Sequence, residues 1–392
     1  MDPVIFVVLD GAADSGRQTP LSSARKPCID ALAARSLCGL WTGAVAPSGY
    51  NPKSMSDVAT LELLGYSYRD NPGRGYLEAL GIGMKLSQDA VCLRGNFATA
   101  AKDGNSFSIT DRRAGRDERG LDALSKKLNM SIGGAKIKCV HSVGHRCVVS
   151  VEGSGLGTDI TDSDSGSGYA EITGRGRASA RTAAILNEFS RRAFCVLDSD
   201  PVNKKRKIPA NFILMRGASR MKKVKSFRKM YGFGACSISG VGIIRGISRY
   251  LGITILPVNG ATGHLNTNLG AKLKAAIRAS RKYDFVMLHI NGCDEAGHDK
   301  DFDAKKRFIE KIDRSVICPL AKRGLRMVIT SDHQTSVASG SHQFGPVPFL
   351  MFDPHENNSN GIERFDEASC AKGMPSGNLI RTMKGVFSGR GA

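Results

Sequence analysis

Asp294-Glu295-Ala296-Gly297-His298 sets a carboxylate and an imidazole four residues apart, and Asp332-His333 followed by His342 adds three more donors of the same kind. Carboxylate and imidazole without thiolate suit a first-row divalent ion such as zinc, manganese or cobalt, and the ligand types do not fix which one. A single loop histidine is usually structural or solvated. His298, His333 and His342, however, are three of only eight histidines, and all fall just after predicted strands beside aspartates. With Asp10, which closes the first apolar run, six side chains are available, enough for two ions of three protein ligands each. His289 lies inside a predicted strand and reads as a packing or supporting residue.

The segment from Ser54 to Tyr66 reads as a loop opening a helix, with apolar residues at helical spacing after the serine. A serine there meets the positive end of the helix dipole, which stabilises a phosphate placed on it. A plain N-cap serine fits the same position, so the segment alone leaves both readings open. Its companions tip the balance, because two metal ions roughly 4 Å apart can ionise a serine hydroxyl and bridge phosphate oxygens in an in-line displacement. The combined chemistry is phosphoryl transfer through a serine.

These residues need a frame. Val4-Ile5-Phe6-Val7-Val8-Leu9, closing on Asp10-Gly11, has the length and β-branched content of a buried parallel strand. The same grammar returns in residues 285–290, after a helix-like stretch over 269–282, and in residues 326–330, after an amphipathic stretch over 304–322. Strands alternating with helices predict a doubly wound, mostly parallel α/β sheet whose ligands gather beyond the carboxyl ends of its strands. Asp10, Asp294 and Asp332 would then meet at one edge, although any one of them would serve equally as a turn or cap residue. From 73 to 234 the alternation is lost and Gly, Arg and Ser become frequent, which predicts an inserted α/β domain with a Gly-Ser loop over 163–168. The core would be residues 1–72 and 235–392, a division that suits 392 residues.

A hydrophobic content of 41% is that of a globular protein, and disorder is not expected. The formal charge of +20 would concentrate any anion, whether a small phosphate, nucleic acid or an acidic membrane. Ten cysteines without a Cys-x-x-Cys pair argue against zinc ribbons and disulfide scaffolds and read as reduced cytosolic thiols. The opening apolar run is too short for a membrane span and lacks a basic flank, so a cytoplasmic protein is expected. Residues 204–230 hold many Lys and Arg and no acid, which would suit a nucleic-acid backbone, but only Phe212 and Phe227 could stack on bases.

Taken in order, the stations resemble the alkaline phosphatase superfamily, and within it the archaeal-type phosphoglycerate mutases that need no bisphosphoglycerate. They are Val8-Leu9-Asp10-Gly11, Ser56-Asp57-Val58-Ala59, Arg74-Gly75-Tyr76-Leu77-Glu78-Ala79, Arg94-Gly95-Asn96-Phe97-Ala98-Thr99, Asp111-Arg112-Arg113-Ala114-Gly115-Arg116, Asp294 to His298, and Asp332-His333. The resemblance implies that Ser56 becomes a phosphoserine while phosphate moves between the 3- and 2-hydroxyls of glycerate. It implies two divalent ions (manganese, zinc, cobalt or magnesium), one on Asp294, His298 and His342, the other on Asp10, Ser56, Asp332 and His333. It implies further that the insert holds phosphoglycerate, with Arg94, Arg112, Arg113, Arg116, His145, Arg146 and Arg216 as candidates and Asp111 or Asp164 as the proton shuttle. Guanidinium suits that task because it grips carboxylate or phosphate as a fork. Where the family usually has a lysine, this chain has Arg245, which can neutralise charge but cannot donate a proton. The segments after His333 and His342 also depart from the usual pattern, as Thr335-Ser336 and Gln343-Phe344-Gly345-Pro346. A metal-dependent phosphatase, or a phosphomutase for another small phosphate, is the alternative.

Overall fold

A computed structural model describes residues 2–43, 55–104, 106–166 and 168–388. Ser54, ahead of the Ser56 helix, and Ser167, in the Gly-Ser stretch, lie outside the described residues. The chain divides into two compact units, one of Met1–Asn71 with Val224–Ala392 and one of Pro72–Lys223. The chain re-enters the first unit earlier than the 235 read from composition. Helix Phe227–Tyr231 is the reason, since Phe227 sits in ring contact with Phe285 at 5.0 Å.

Among the described residues the strands are β1 (Val4–Leu9), β2 (Leu37–Trp41), β3 (Val91–Asp103), β4 (Ser106–Asp111), β5 (Met130–Ile132), β6 (Ala135–His141), β7 (Arg146–Glu152), β8 (Phe212–Ser219), β9 (Ala235–Ile238), β10 (Thr254–Ile255), β11 (Phe285–Ile290), β12 (Arg326–Thr330), β13 (Gln334–Ser336), β14 (Ser341–Gln343), β15 (Val347–Phe352) and β16 (Met374–Ser376). The first unit holds one eight-stranded sheet in the order β10-β9-β11-β1-β12-β15-β2-β16. It is mixed: β15 runs antiparallel to both β12 and β2, and the other neighbours run parallel. Parallel neighbours need crossovers. Helices Gly242–Tyr250, Leu269–Ala279 and Phe302–Ile312 lie in the successive connections that lead from β9 to β12.

Both β1 and β11 are buried at every position, which is why each reads as a continuous apolar run rather than an alternation. Val8 is in register with His289 on one side and Thr330 on the other. The chain therefore leaves β1, β11 and β12 at one common edge, with Asp10 directly after β1, Asp332 two residues after β12, and Asp294 in the first turn of helix Gly292–His298.

The second unit is built differently from the predicted α/β insert. Its sheet runs β4-β3-β7-β6-β5, with β8 also paired to β3, and every pairing is antiparallel. Hairpins make this possible: Gly133 and Gly134, at φ of 55° and 77°, form the two-residue turn between β5 and β6 that only positive φ allows. The 23-residue helix Gly176–Asp198 buries Leu186, Phe189, Ala193 and Leu197 in one core with Leu93, Val149 and Ile213. β6 alternates, with Ala135, Ile137 and Cys139 buried and the lysines between them exposed.

Cys28 and Cys318, both read from the sequence as reduced thiols, are joined in a disulfide with a Cα–Cα distance of 5.4 Å. Sequence spacing could not reveal a pair separated by 290 residues. A bridge closing so long a loop should, on chain entropy alone, stabilise the fold by about 5 kcal/mol. Thermal unfolding checks this: the oxidised protein should melt above the reduced one, and Cys318→Ser should melt like the reduced protein and ignore reductant. Among the described residues no helix is long and apolar enough to cross a membrane.

Candidate metal centre

Asp10 lies at the middle of the site. It is 2% exposed, with Oδ2 3.2 Å from His289 Nε2 and Oδ1 3.2 Å from His333 Nε2. Asp332 is as deeply buried; its Oδ1 accepts from the Gly11 and His333 amides at 3.2 and 3.0 Å, and its Oδ2 lies 3.6 Å from His333 Nε2. Beside this group, Asp294 Oδ1 is 3.1 Å from His342 Nε2 and 3.5 Å from His298 Nε2, and the two imidazole nitrogens are 3.0 Å apart. His298 Nδ1 donates to the Gly340 carbonyl at 2.9 Å, a bond that leaves Nε2 as the lone-pair nitrogen facing the cluster. The rings of His333 and His342 are 4.3 Å apart, so the two groups adjoin.

The sequence-derived donors Asp10, Asp294, His298, Asp332, His333 and His342 thus come together, and their atoms fall into overlapping trios. Asp294, His298 and His342 form one; Asp10, Asp294 and His333 another; Asp10, His289 and Asp332 a third, each with donor atoms within 4.8 Å of one another. A fit to cations follows from what these atoms lack. Asp10 Oδ1, Asp332 Oδ2, His289 Nε2 and His333 Nε2 are buried without an aligned hydrogen bond, although some lie close to each other. Buried polar atoms in that condition are costly, and a divalent ion satisfies several at once.

The electrostatics agree. Burial would raise the Asp10 carboxyl, but the close imidazoles of His289 and His333, each 3.2 Å away, pull it well below the usual range. Burial, aided by the Asp10 charge, pushes Asp332 up to about 6. Burial would depress His333, yet the Asp332 and Asp10 carboxylates carry it to about 10. Without a cation the cluster retains protons; a bound ion would take their place.

The supports are specific. Thr335 Oγ1 donates to Asp294 Oδ1 at 2.7 Å and lies 3.2 Å from His333 Nδ1, so one hydroxyl touches both halves of the cluster. The fully buried Lys305 donates to the carbonyls of Thr335 and Ala13 at 2.7 and 3.2 Å, tying the β13 segment to the loop after β1. Gly11 sits between them at φ 63°, and a Cβ there would come within 2.5 Å of Thr335 Oγ1 and 2.8 Å of the Asp294 Cα. Only glycine fits.

His289 is the residue whose part the sequence understated. It is the one polar side chain in an otherwise apolar β11, and its register beside Val8 puts it next to Asp10. Ser56 is the second residue of helix Met55–Leu63, half-buried, with its carbonyl accepting from the Thr60 hydroxyl at 2.7 Å. Arg245 is on helix Gly242–Tyr250, half-buried, with Nε lacking a hydrogen-bond partner.

The second unit carries an arginine face. Arg94 and Arg216 are direct partners across β3 and β8, and Arg146 is opposite Asn96 across β3 and β7. Burial lowers Arg94 to about 10, Glu78 opposes the shift, and Arg74, Arg216 and Arg146 add to it. His145 is brought down to about 4 by burial and by Arg146, Arg113, Arg116 and Arg216. Arg113 and Arg116 themselves are exposed. Asp164 has a side chain 1% exposed, pairs with Arg112 and lies 3.8 Å from Arg216. Asp111 instead caps a turn, accepting from the Arg113 and Gly115 amides at 2.7 and 3.0 Å. Arg74, which the sequence places only within a family station, pairs with Glu78 four residues on along its helix.

The basic stretch does not form one continuous stripe. Phe212 to Met215 are buried in β8, Arg206 is bonded to the Ala114 and Asp117 carbonyls at 3.2 and 2.6 Å, and the Phe212 and Phe227 rings are both fully buried. Neither aromatic can stack on a base.

Residues 33–203 match the family described as 2,3-bisphosphoglycerate-independent phosphoglycerate mutase. The chain is 37% identical to 2,3-bisphosphoglycerate-independent phosphoglycerate mutase 1 of Archaeoglobus fulgidus, covering 95% of this chain and 93% of that one. It is 36% identical to the Methanopyrus kandleri mutase, over 94% and 92% of the two chains. Among solved structures it resembles the PH0037 protein of Pyrococcus horikoshii, with a TM-score of 0.82, 27% identity and coverage of 99% and 97%. It also resembles the cofactor-independent phosphoglycerate mutase of Thermoplasma acidophilum, with a TM-score of 0.72, 28% identity and full coverage of both chains. The near-complete span of these matches shows that the chain belongs to the family of 2,3-bisphosphoglycerate-independent phosphoglycerate mutases.

Proposed function

We propose that this protein interconverts 3-phosphoglycerate and 2-phosphoglycerate through a phosphoserine on Ser56. The observation that carries the reading is the meeting of Asp10, Asp294, His298, Asp332, His333 and His342, with orphaned buried donor atoms, in a chain 37% identical to a named mutase over nearly its full length. Asp294, His298 and His342 would hold one divalent ion, and Asp10, Ser56, Asp332 and His333 the other. Manganese, zinc, cobalt or magnesium would serve there, drawing charge from the phosphoryl oxygens and lowering the pKa of the serine hydroxyl.

Ser56 Oγ attacks the phosphorus of 3-phosphoglycerate; the bond from phosphorus to O3 breaks, O3 takes a proton, and the phosphate stays on Ser56. The glycerate turns between the two transfers, and guanidinium groups such as those of Arg94 and Arg216 would suit its carboxylate. Its O2 then attacks the same phosphorus, releases its proton and frees Ser56 Oγ. Asp164 is better suited than Asp111 to move these protons, because Asp111 spends both oxygens on backbone amides. Arg245 contributes charge, not a proton.

Phosphorus NMR of 3-phosphoglycerate with metal-stripped protein, before and after manganese is added, tests the reading. The expected result is a 2-phosphoglycerate signal that appears only with metal. Inorganic phosphate alone would replace the mutase by a phosphatase, in which water takes the phosphoryl group from Ser56. No change with any of the four metals would remove phosphoglycerate as the substrate.

A further inference from the structure

The arginine face poses a problem that its anionic ligand does not solve by itself. Arg94 and Arg216 are directly opposed across two strands, and Arg146 projects from the same face two pairs further along. Like charges so placed repel and would splay apart. Helix Arg74–Gly81 packs on this sheet so tightly that a Cβ at Gly75 would fall 2.3 Å from the Cys92 carbonyl oxygen and 2.7 Å from that of Gly217. One turn later, that helix delivers Glu78, with a side chain only 14% exposed, into the cluster.

A single oxygen, Glu78 Oε1, accepts from Arg74 Nε at 3.0 Å and forms an ion pair with Arg94, whose Nε lies 2.8 Å away. Engagement through Nε leaves the Nη1–Nη2 fork of each guanidinium for a second anion, the geometry in which arginine binds carboxylate or phosphate bidentately. We infer that Glu78 is a positioning residue for the substrate, holding Arg74 and Arg94 as a preset pair of forks. This rests on the reading that the arginine face takes the glycerate. Glu78 touches no reacting atom and acts through the arginines.

Two variants separate positioning from simple charge balance. Glu78→Asp keeps the charge and withdraws the carboxylate by one methylene; Glu78→Gln keeps the length and removes the charge. Positioning predicts that both raise KM for 3-phosphoglycerate by roughly tenfold while kcat stays within about twofold. In an Arg74→Ala, Arg94→Ala background, Glu78→Asp should add nothing further. A Glu78→Asp protein with unchanged KM, or one whose kcat falls in step with its rise in KM, would overturn the assignment. So would a change confined to the melting temperature. Calorimetric titration with inorganic sulfate gives a readout independent of turnover: wild type should bind it and Glu78→Asp should bind it about tenfold more weakly. Absence of wild-type turnover would defeat the proposed reaction alone, whereas equal sulfate affinity in the two proteins would defeat the role of Glu78.

Discussion

Ser56→Ala should lose turnover by a factor on the order of 10⁴ or more while still taking up metal at Asp294, His298 and His342. The substitution removes one hydroxyl and little else. Alanine is a stronger helix former than serine, and the hydrogen bond from Thr60 falls on the Ser56 carbonyl, which alanine retains. Unfolding therefore cannot account for the loss, and an unchanged melting temperature should accompany it. Mass spectrometry of wild type quenched during turnover should show a phosphoryl group on the tryptic peptide containing Ser56, absent in the variant. A variant that still interconverts the two phosphoglycerates would take the serine out of the mechanism.

Asp332→Asn should release one metal equivalent and lower turnover by more than about a hundredfold, since even changes to residues behind metal ligands cost 10- to 100-fold. The amide oxygen of asparagine can still accept from the Gly11 and His333 amides, so the loop geometry is preserved. What disappears is the negative charge that, with Asp10, favours a cation. Metal analysis after exhaustive dialysis measures the stoichiometry directly. The same count in variant and wild type would break the assignment of Asp332 as a ligand.

The parts of this site that could be read in the sequence are those encoded by short-range pattern. Continuous apolar runs marked β1, β11 and β12 because strands buried on both faces have no polar side to show. An aspartate just beyond each then follows from the edge they share. The resemblance added Ser56 and the partition of ligands into two sets. Other features depend on contacts between segments that no local pattern announces. His289 could be read only as a packing or supporting residue, because its neighbour Asp10 is supplied by another strand. The pairing of Arg94 with Glu78 and the bridge from Cys28 to Cys318 are likewise tertiary. In the second unit, antiparallel strands with one exposed face carry fewer apolar residues, and their alternation lowered the signal that had served so well in the first.

The strand order also sets a timetable for synthesis. β1 is made first, yet both its neighbours, β11 and β12, lie about 280 or more residues downstream. The sheet of the second unit draws all its strands from one continuous stretch, so it can close while the rest of the chain is still on the ribosome. During that interval the six apolar residues of β1 have no native partner, a window in which a nascent-chain chaperone has something to hold.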